Sequence, residues 1–484
     1  MHAFRSAAIQ AIYVAQRMLT TLVMVVWWAF YYIIMPRKHR PRQSWSLKQI
    51  ICVNFTRRIY KVTELAGVTW GTRNPDEPCD NRTLKETRFE WIEPLPEEMR
   101  SGVVVDSQTQ CKRTGVFVWP KDAPEATIDK PGLKESQIDL ADVEAGDVPV
   151  IGIFMHGGGY CHMSAHENAP TSKIPRRLMK DKAFTKIYAV EYRLLQHAPF
   201  PAQVQDAAAV YYHIMQQYQR PGVKSTGDSE RSSDTRVAQD EGVVRKDYLT
   251  AGYNPQDVKD KAENEHARRR VAQAAQNMHC KIVLIGDSAG GNLVLALARW
   301  IRDEARLPPP DGLLLLSPSC DPSDLLGEHP LEMMHSPKCC ARSTGTRSRR
   351  ASRTSASAHE HRRPRDAALD AECAEHARTE HAVRGRALAR GPRPQPTSLE
   401  RPIIASPRGL SLFSGFPRAC VVLGDAERLE REVTKLVGAM ERDGVGVRTV
   451  WVKDGAHDVL MMGWWDEDVR TKVYNDIEAW LKEI

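Results

Sequence analysis

Apolar residues along this chain fall into three patterns. The first is an uncharged run over residues 18–35, from Met18 to Met35, set near the N-terminus. The second is a series of short apolar runs of strand length: Val103–Val105, Gly115–Trp119, Val150–Met155, Phe184–Arg193, Lys281–Ile285, Gly312–Pro318, Arg418–Leu423 and Arg448–Lys453. Continuous apolar runs of this length are what strands buried on both faces look like. The third is helical spacing between them. Val204, Ala208 and Tyr211/Tyr212 form an apolar stripe within Pro201–Gln217, and similar patterns follow Ser288, cover Glu427–Asp443 and close the chain over Val469–Ile484. Strands alternating with helices predict an α/β fold with a mostly parallel, doubly wound sheet. Two tracts break the pattern. Residues 219–265 are rich in Ser, Asp, Arg, Lys and Gly, and residues 335–400 lead into a stretch that cannot build a packed core. Both predict solvated, disordered insertions.

Three of the strand ends carry chemistry. Lys281–Ile285 runs into Gly286-Asp287-Ser288-Ala289-Gly290, and a helical pattern follows. In a strand–turn–helix setting G-x-S-x-G lifts a serine hydroxyl clear of the backbone, and Gly286 and Gly290 permit the sharp turn. Ser288 is the candidate nucleophile. Val150–Met155 ends in His156-Gly157-Gly158-Gly159, where residues without side chains let backbone N–H groups approach a carbonyl oxygen. Gly157, Gly158 and Ala289 are the candidate oxyanion donors. Arg448–Lys453 leads through a turn to Gly455-Ala456-His457-Asp458, and His457 is the candidate base. The order glycine loop, serine, acid, histidine is that of the α/β-hydrolases. Asp425 and Glu427, just past the strand Arg418–Leu423, are the candidate acids. His162, His166 and His197 read as structural loop residues.

Together with Glu191-Tyr192-Arg193-Leu194, Pro199-Phe200-Pro201-Ala202 and Asp206, these motifs resemble the hormone-sensitive-lipase-like, "fold-3" branch of the α/β-hydrolases, which includes arylacetamide deacetylases and fungal steryl acetyl hydrolases. The similarity spans about residues 148–334 and 402–484. It implies an α/β-hydrolase domain over 101–484, a helical cap over 43–100 and a Ser-His-acid triad without metal or organic cofactor. It also implies a small lipophilic ester as substrate, such as a sterol acetate or a short acyl ester. Relatives commonly place the acid two residues before a leucine that starts a helix. Glu427-Arg428-Leu429 matches that position and favours Glu427, leaving Asp425 as a cap for the helix.

Charge changes the picture only locally. The net charge is +7, but residues 341–400 alone hold thirteen arginines against seven acidic residues, and Arg37, Lys38, Arg40 and Arg42 cluster after the apolar run. The remainder carries no cationic excess, so a nucleic-acid-binding face is not expected. The 10 cysteines show no C-x-x-C or zinc spacing. Residues 341–400 lack Lys, Ile, Met, Phe, Trp, Tyr and Asn, and family-like sequence returns at Ile403, as though this tract were a frame-shifted or unspliced piece of the gene. Residues 18–35 have the length of a single membrane span of about 27 Å, and bulky residues stand where a signal peptidase would need small ones. Residues 1–42 are therefore expected to form an uncleaved anchor and its basic flank. The basic flank argues for a cytosolic domain. The sequons Asn54-Phe55-Thr56 and Asn81-Arg82-Thr83, and the resemblance, argue for an endoplasmic reticulum membrane with the domain in the lumen, the side favoured here.

Overall fold

The structure, a computed structural model, describes residues 7–67, 69–122, 148–218, 280–320 and 412–484. The expected insertions at 219–265 and 335–400, the arginine-rich tract within the second, and residues 123–147 lie outside the described residues.

Eight strands form one sheet: β1 (Arg88–Ile92), β2 (Thr114–Trp119), β3 (Val150–Met155), β4 (Lys186–Glu191), β5 (Lys281–Asp287), β6 (Gly312–Leu316), β7 (Arg418–Gly424) and β8 (Val447–Val452), in the order β1-β2-β4-β3-β5-β6-β7-β8. β2 pairs antiparallel with β1 and β4, and every other pairing is parallel. The chain steps from β3 outward to β4 and then returns to the other side of β3 with β5. In open α/β sheets ligands bind where the winding reverses, beyond the carboxyl ends of the strands. Those ends carry His156-Gly157 after β3 and Ser288 after β5.

Helices cover both faces, which is why the central strands read as unbroken apolar runs. Helices α4 (Ala202–Tyr218), α5 (Ala289–Glu304) and α6 (Glu430–Arg442) bury Val204, Leu293 and Leu436 against one face. Helices α2 (Leu47–Ala66), α3 (Lys173–Lys180) and α7 (Glu467–Leu481) bury Ile50, Ile174 and Ile477 against the other. Helix α2 begins at a capping box in which Ser46 and Gln49 satisfy each other's backbone amides, and ends at Gly67 in the left-handed region. Ahead of it, α1 (Ala7–Ile34) is long and apolar enough to cross a membrane, and packs along α2.

Two expectations change. Val103–Val105 is not a strand: residues 102–104 form a single 3-10 turn, and Val105 is 62% exposed. The sheet instead begins with Arg-Phe-Glu-Trp-Ile at β1, inside the stretch expected to be cap. The sequons also have structural employment. Asn81 accepts from the Phe89 amide (2.6 Å) and donates to the Phe89 carbonyl (3.1 Å), while Asn54-Phe55-Thr56 lies within α2.

Candidate active site

β5 delivers Ser288 into a backbone conformation (φ 51°, ψ −115°) that residues other than glycine rarely adopt. The turn is held by close packing. A Cβ on Gly290 would strike the Met155 carbonyl at the end of β3, and one on Gly286 would strike the backbone of Gly290. Both neighbours are main chain and cannot give way, so the spacing Gly-x-Ser-x-Gly is a steric requirement of this crossing.

His457 follows β8, the edge strand beyond β6 and β7, and reaches Ser288 across the carboxyl ends of the strands. Its Nε2 lies 3.0 Å from Ser288 Oγ, and its Nδ1 lies 3.2 Å from Glu427 Oε2. The Glu427 side chain is fully buried, with Oε1 unpartnered. The structure therefore brings Ser288, His457 and Glu427 into one line of contacts. Asp425 stands elsewhere and does not cap the following helix. That helix starts only at Glu430, and Leu429 at its cap position makes no side-chain bond. Asp425 Oδ1 instead accepts from the Asp454 amide (2.6 Å). Arg42 bonds the Asp425 carbonyl and the Asp454 carboxylate (3.3 Å), Ser44 donates to Asp454 (2.6 Å), and Trp45 Nε1 donates to its carbonyl (2.7 Å). Residues 42–45 thus clamp the turn that presents His457.

The glycine loop is braced from beneath. His156 is fully buried, stacks on Tyr192 at 4.4 Å, and holds the Gly157 carbonyl through Nδ1 (2.8 Å). Burial lowers its pKa to about 4, so the ring stays neutral. The Gly157 amide donates to Asp287 Oδ1 (2.9 Å). Of the three amides expected to face a substrate oxygen, Gly157's is therefore engaged, and Gly158 and Ala289 remain. Gly159 borders open space on the same loop. Glu191, Arg193 and Asp206 are internal braces: Glu191 accepts from the Ala165 amide (2.8 Å), and Arg193 pairs with Asp206 (2.8 Å) while holding three further acceptors. His162 stacks on Trp70, His166 meets Phe117 edge-on, and His197 accepts from the Leu194 amide.

Two features were missed from the sequence. Asp458 Oδ2 lies 3.2 Å from His457 Nε2, the atom that also faces Ser288. Its side chain is buried with Oδ1 unpartnered, and its φ of 55° turns the carboxylate back onto the ring. Burial would lower the His457 pKa, but Asp458 first, then Glu427 and Asp287, hold it up at about 9. Burial, with the Glu427 charge adding and His457 opposing, raises Asp458 to about 7, and burial together with the Asp458 charge pushes Asp287 well up. The second feature is the roof. Tyr60 on α2 meets Trp70 edge-on at 5.8 Å, and Trp70 stacks on His162, whose amide is bonded to Gly158. Burial raises the Tyr60 pKa to about 12, with Asp458 and Asp287 adding to the rise. The aromatic character of Tyr60 and Trp70 was visible in the sequence, but their place over the glycine loop depends on the path of α2. Among the described residues no group of three or more His, Cys, Asp or Glu side chains is placed to hold a metal ion.

No curated protein matches the sequence. Among solved structures, it is similar to a brefeldin A esterase described as a bacterial homologue of human hormone sensitive lipase (15% identity, 84% of this chain and 80% of that one, TM-score 0.44). It is also similar to an esterase of Pyrobaculum calidifontis (16% identity, 82% and 86%, TM-score 0.43) and to carboxyl esterase 2 of the mycorrhizal fungus Tuber melanosporum (12% identity, 86% and 90%, TM-score 0.43). The family assignment rests on a different match: residues 152–461 fit the profile of the family Abhydrolase_3, described as having the alpha/beta hydrolase fold. The matched stretch covers most of the chain and runs from the glycine loop past the histidine, so the protein belongs to this hormone-sensitive-lipase-like family of esterase and lipase hydrolases.

Proposed function

We propose that this protein is a membrane-attached serine hydrolase of carboxylic esters, with Ser288 as nucleophile, His457 as general base and acid, and Glu427 as the carboxylate that orients His457. The observation that carries this reading is the unbroken line from Ser288 Oγ to His457 Nε2 (3.0 Å) and from His457 Nδ1 to Glu427 Oε2 (3.2 Å), on a serine held in a strained turn. Ser288 Oγ attacks the ester carbonyl carbon while His457 Nε2 takes its proton. The amides of Gly158 and Ala289 receive the developing oxyanion, and the N-terminal end of α5 favours the same charge. Collapse breaks the carbon–oxygen bond, and His457 returns the proton to the leaving alcohol. Water, deprotonated by His457, then releases the acid from the acyl-serine. Gly157 and Asp287 act by holding the loop in place.

The roof of Tyr60 and Trp70 and the apolar helix α1 fit a lipophilic alcohol or short acyl ester, and the resemblance to steryl acetyl hydrolases narrows this to sterol acetates and their like. In this reading residues 43–84 serve as the cap. The test is labelling by a fluorophosphonate probe together with hydrolysis of a panel of acyl esters and sterol acetates. Ser288→Ala should abolish both and leave the melting temperature unchanged. Near wild-type activity in that variant would remove Ser288 from its role, and a wild-type chain that neither labels nor hydrolyses any ester would replace the enzyme with a hydrolase-like scaffold.

A further inference from the structure

Helix α1 is inside out for a helix facing water. Its inner stripe, turned towards α2, carries polar groups: Gln10 donates to the Ala66 carbonyl, and Thr20 and Thr21 each accept from Arg58 on α2 at 2.7 Å. Its outer stripe is apolar. Ile12, Leu19, Leu22, Val26, Phe30 and Ile33 recur at spacings of three, four and seven, and each is 60–71% exposed. Over the 28 residues of α1 this face runs for about 42 Å. Exposed apolar surface of that extent marks a contact site.

The contacts also fix how α1 can meet a membrane. Gln10 pairs with Ala66 and Thr20/Thr21 with Arg58, so the two helices run antiparallel. The part of α1 that would span, residues 18–35, therefore lies beside the first half of α2. That half is fastened to the hydrolase domain. Ile50 and Val53 are buried in its core, Gln49 donates to Asp466, and Tyr32 of α1 packs against the same apolar cluster. Drawing residues 18–35 across a bilayer would draw Lys48, Arg57 and the flank of the domain into the hydrocarbon with them. Such groups are strongly disfavoured there.

We propose that the α1–α2 hairpin docks the protein onto the surface of an anionic lipid bilayer, with α1 lying in the plane of the interface and its outer stripe sunk among the acyl chains, so that no segment of the hairpin crosses. This deepens the membrane attachment proposed above and rests on it. Charge fits the occupant. Residues 7–63 contain no Asp or Glu and nine Lys and Arg, and Arg37, Lys38, Lys48 and Arg57 are exposed. An amphipathic helix with an apolar face and basic flanks is held by acyl-chain burial together with attraction to anionic headgroups. The hairpin is also the roof, since Tyr60 stands on α2, so a lipophilic ester partitioned into the interface would meet the cap directly.

The test uses the full chain with an epitope at each end, expressed in cells, and sealed membranes exposed to protease from one side. In-plane docking predicts that both epitopes are digested together or protected together. One epitope cut and the other protected would overturn the in-plane arrangement and leave membrane attachment standing. Recovery of the chain in the soluble fraction would overturn attachment itself, while fluorophosphonate labelling reports separately on the hydrolase. A second arm adds purified chain to preformed vesicles. It should sediment with equimolar phosphatidylcholine and phosphatidylserine and much less with phosphatidylcholine alone. Leu19→Glu combined with Val26→Glu should weaken sedimentation by roughly tenfold or more at an unchanged melting temperature, because two sunken side chains become charged. Equal binding to both vesicle types, or sedimentation indifferent to the double change, would overturn the proposal.

Discussion

Two isosteric changes to carboxylates that touch the same imidazole, Glu427→Gln and Asp458→Asn, are expected to have opposite consequences. Glu427 sits on Nδ1 and Asp458 on Nε2, each at 3.2 Å. On the proposed mechanism Nδ1 must carry the proton, so that Nε2 is free to take the one from Ser288. Replacing Glu427 by Gln exchanges the anionic acceptor for an amide that can donate to Nδ1 and hold the other tautomer, and kcat should fall on the order of 10⁴-fold. Replacing Asp458 by Asn removes an anion from beside Nε2. Asp458 is the foremost of the groups that hold the His457 pKa up at about 9 against the effect of burial. An opposite charge in contact is worth about 1–3 pK units. The ring side chain is 38% exposed, so solvent screening puts the effect at the low end, about one unit. Losing the anion lowers the imidazolium pKa, and the acid limb of kcat/KM should move down by about one pH unit, raising activity up to about tenfold on that limb. Asp458 itself titrates near 7, so the difference should be widest above that pH. The assay is the pH profile of kcat/KM on a water-soluble nitrophenyl ester, with melting temperatures recorded alongside. An acid limb that stays still or moves up in Asp458→Asn would refute the electrostatic reasoning. A collapse matching that of Glu427→Gln would make Asp458 the orienting acid.

Glu191 is buried, and burial raises its pKa to about 7 from a reference value of 4.5. A carboxyl whose folded pKa is raised contributes stability below its unfolded pKa that is lost as pH rises through the folded one. Glu191→Gln should therefore flatten the fall in melting temperature between about pH 4.5 and 7, and an unaltered slope would show that the group is ionised in the folded protein. Because both polar atoms of the Asn81 amide are bonded to Phe89, Asn81→Ala should cost about 1 kcal/mol of stability or more and lower the melting temperature, and an unchanged melting temperature would contradict this.

Much of the fold was legible because a parallel sheet covered on both faces writes itself as apolar runs. β3, β5, β6 and β7 stand where those runs stand. Ser288 and the loop at His156 were legible because their requirements are local: a turn too tight for a Cβ, and a strand end that approaches it. β1 was missed because an edge strand with one face open mixes Arg88 and Glu90 with Phe89 and Trp91. Val103–Val105 has the composition of a strand but lacks a partner to pair with. The engagement of the Gly157 amide by Asp287, and the second carboxylate on His457, are through-space facts that no spacing encodes. Asp425 and Glu427 illustrate the same limit. The Glu-Arg-Leu pattern singled out Glu427, which lies beside His457, but the job assigned to Asp425 depended on where the helix began, and helix starts are the least certain part of any sequence reading.

The clamp formed by Arg42, Ser44 and Trp45 bears on how a soluble form of the protein should be made. Cutting just past the basic flank would look harmless, since Arg42 reads as one more cation beside an apolar helix. Arg42 in fact ties Asp425 to Asp454, on the turn that carries His457. A truncation beginning after Trp45 would keep every residue of the proposed triad and strip the turn that carries His457 of its bonds from Arg42, Ser44 and Trp45. One beginning at Arg40 removes α1 and retains the tether, so the shorter protein should differ from the longer one in activity far more than six residues of sequence would suggest.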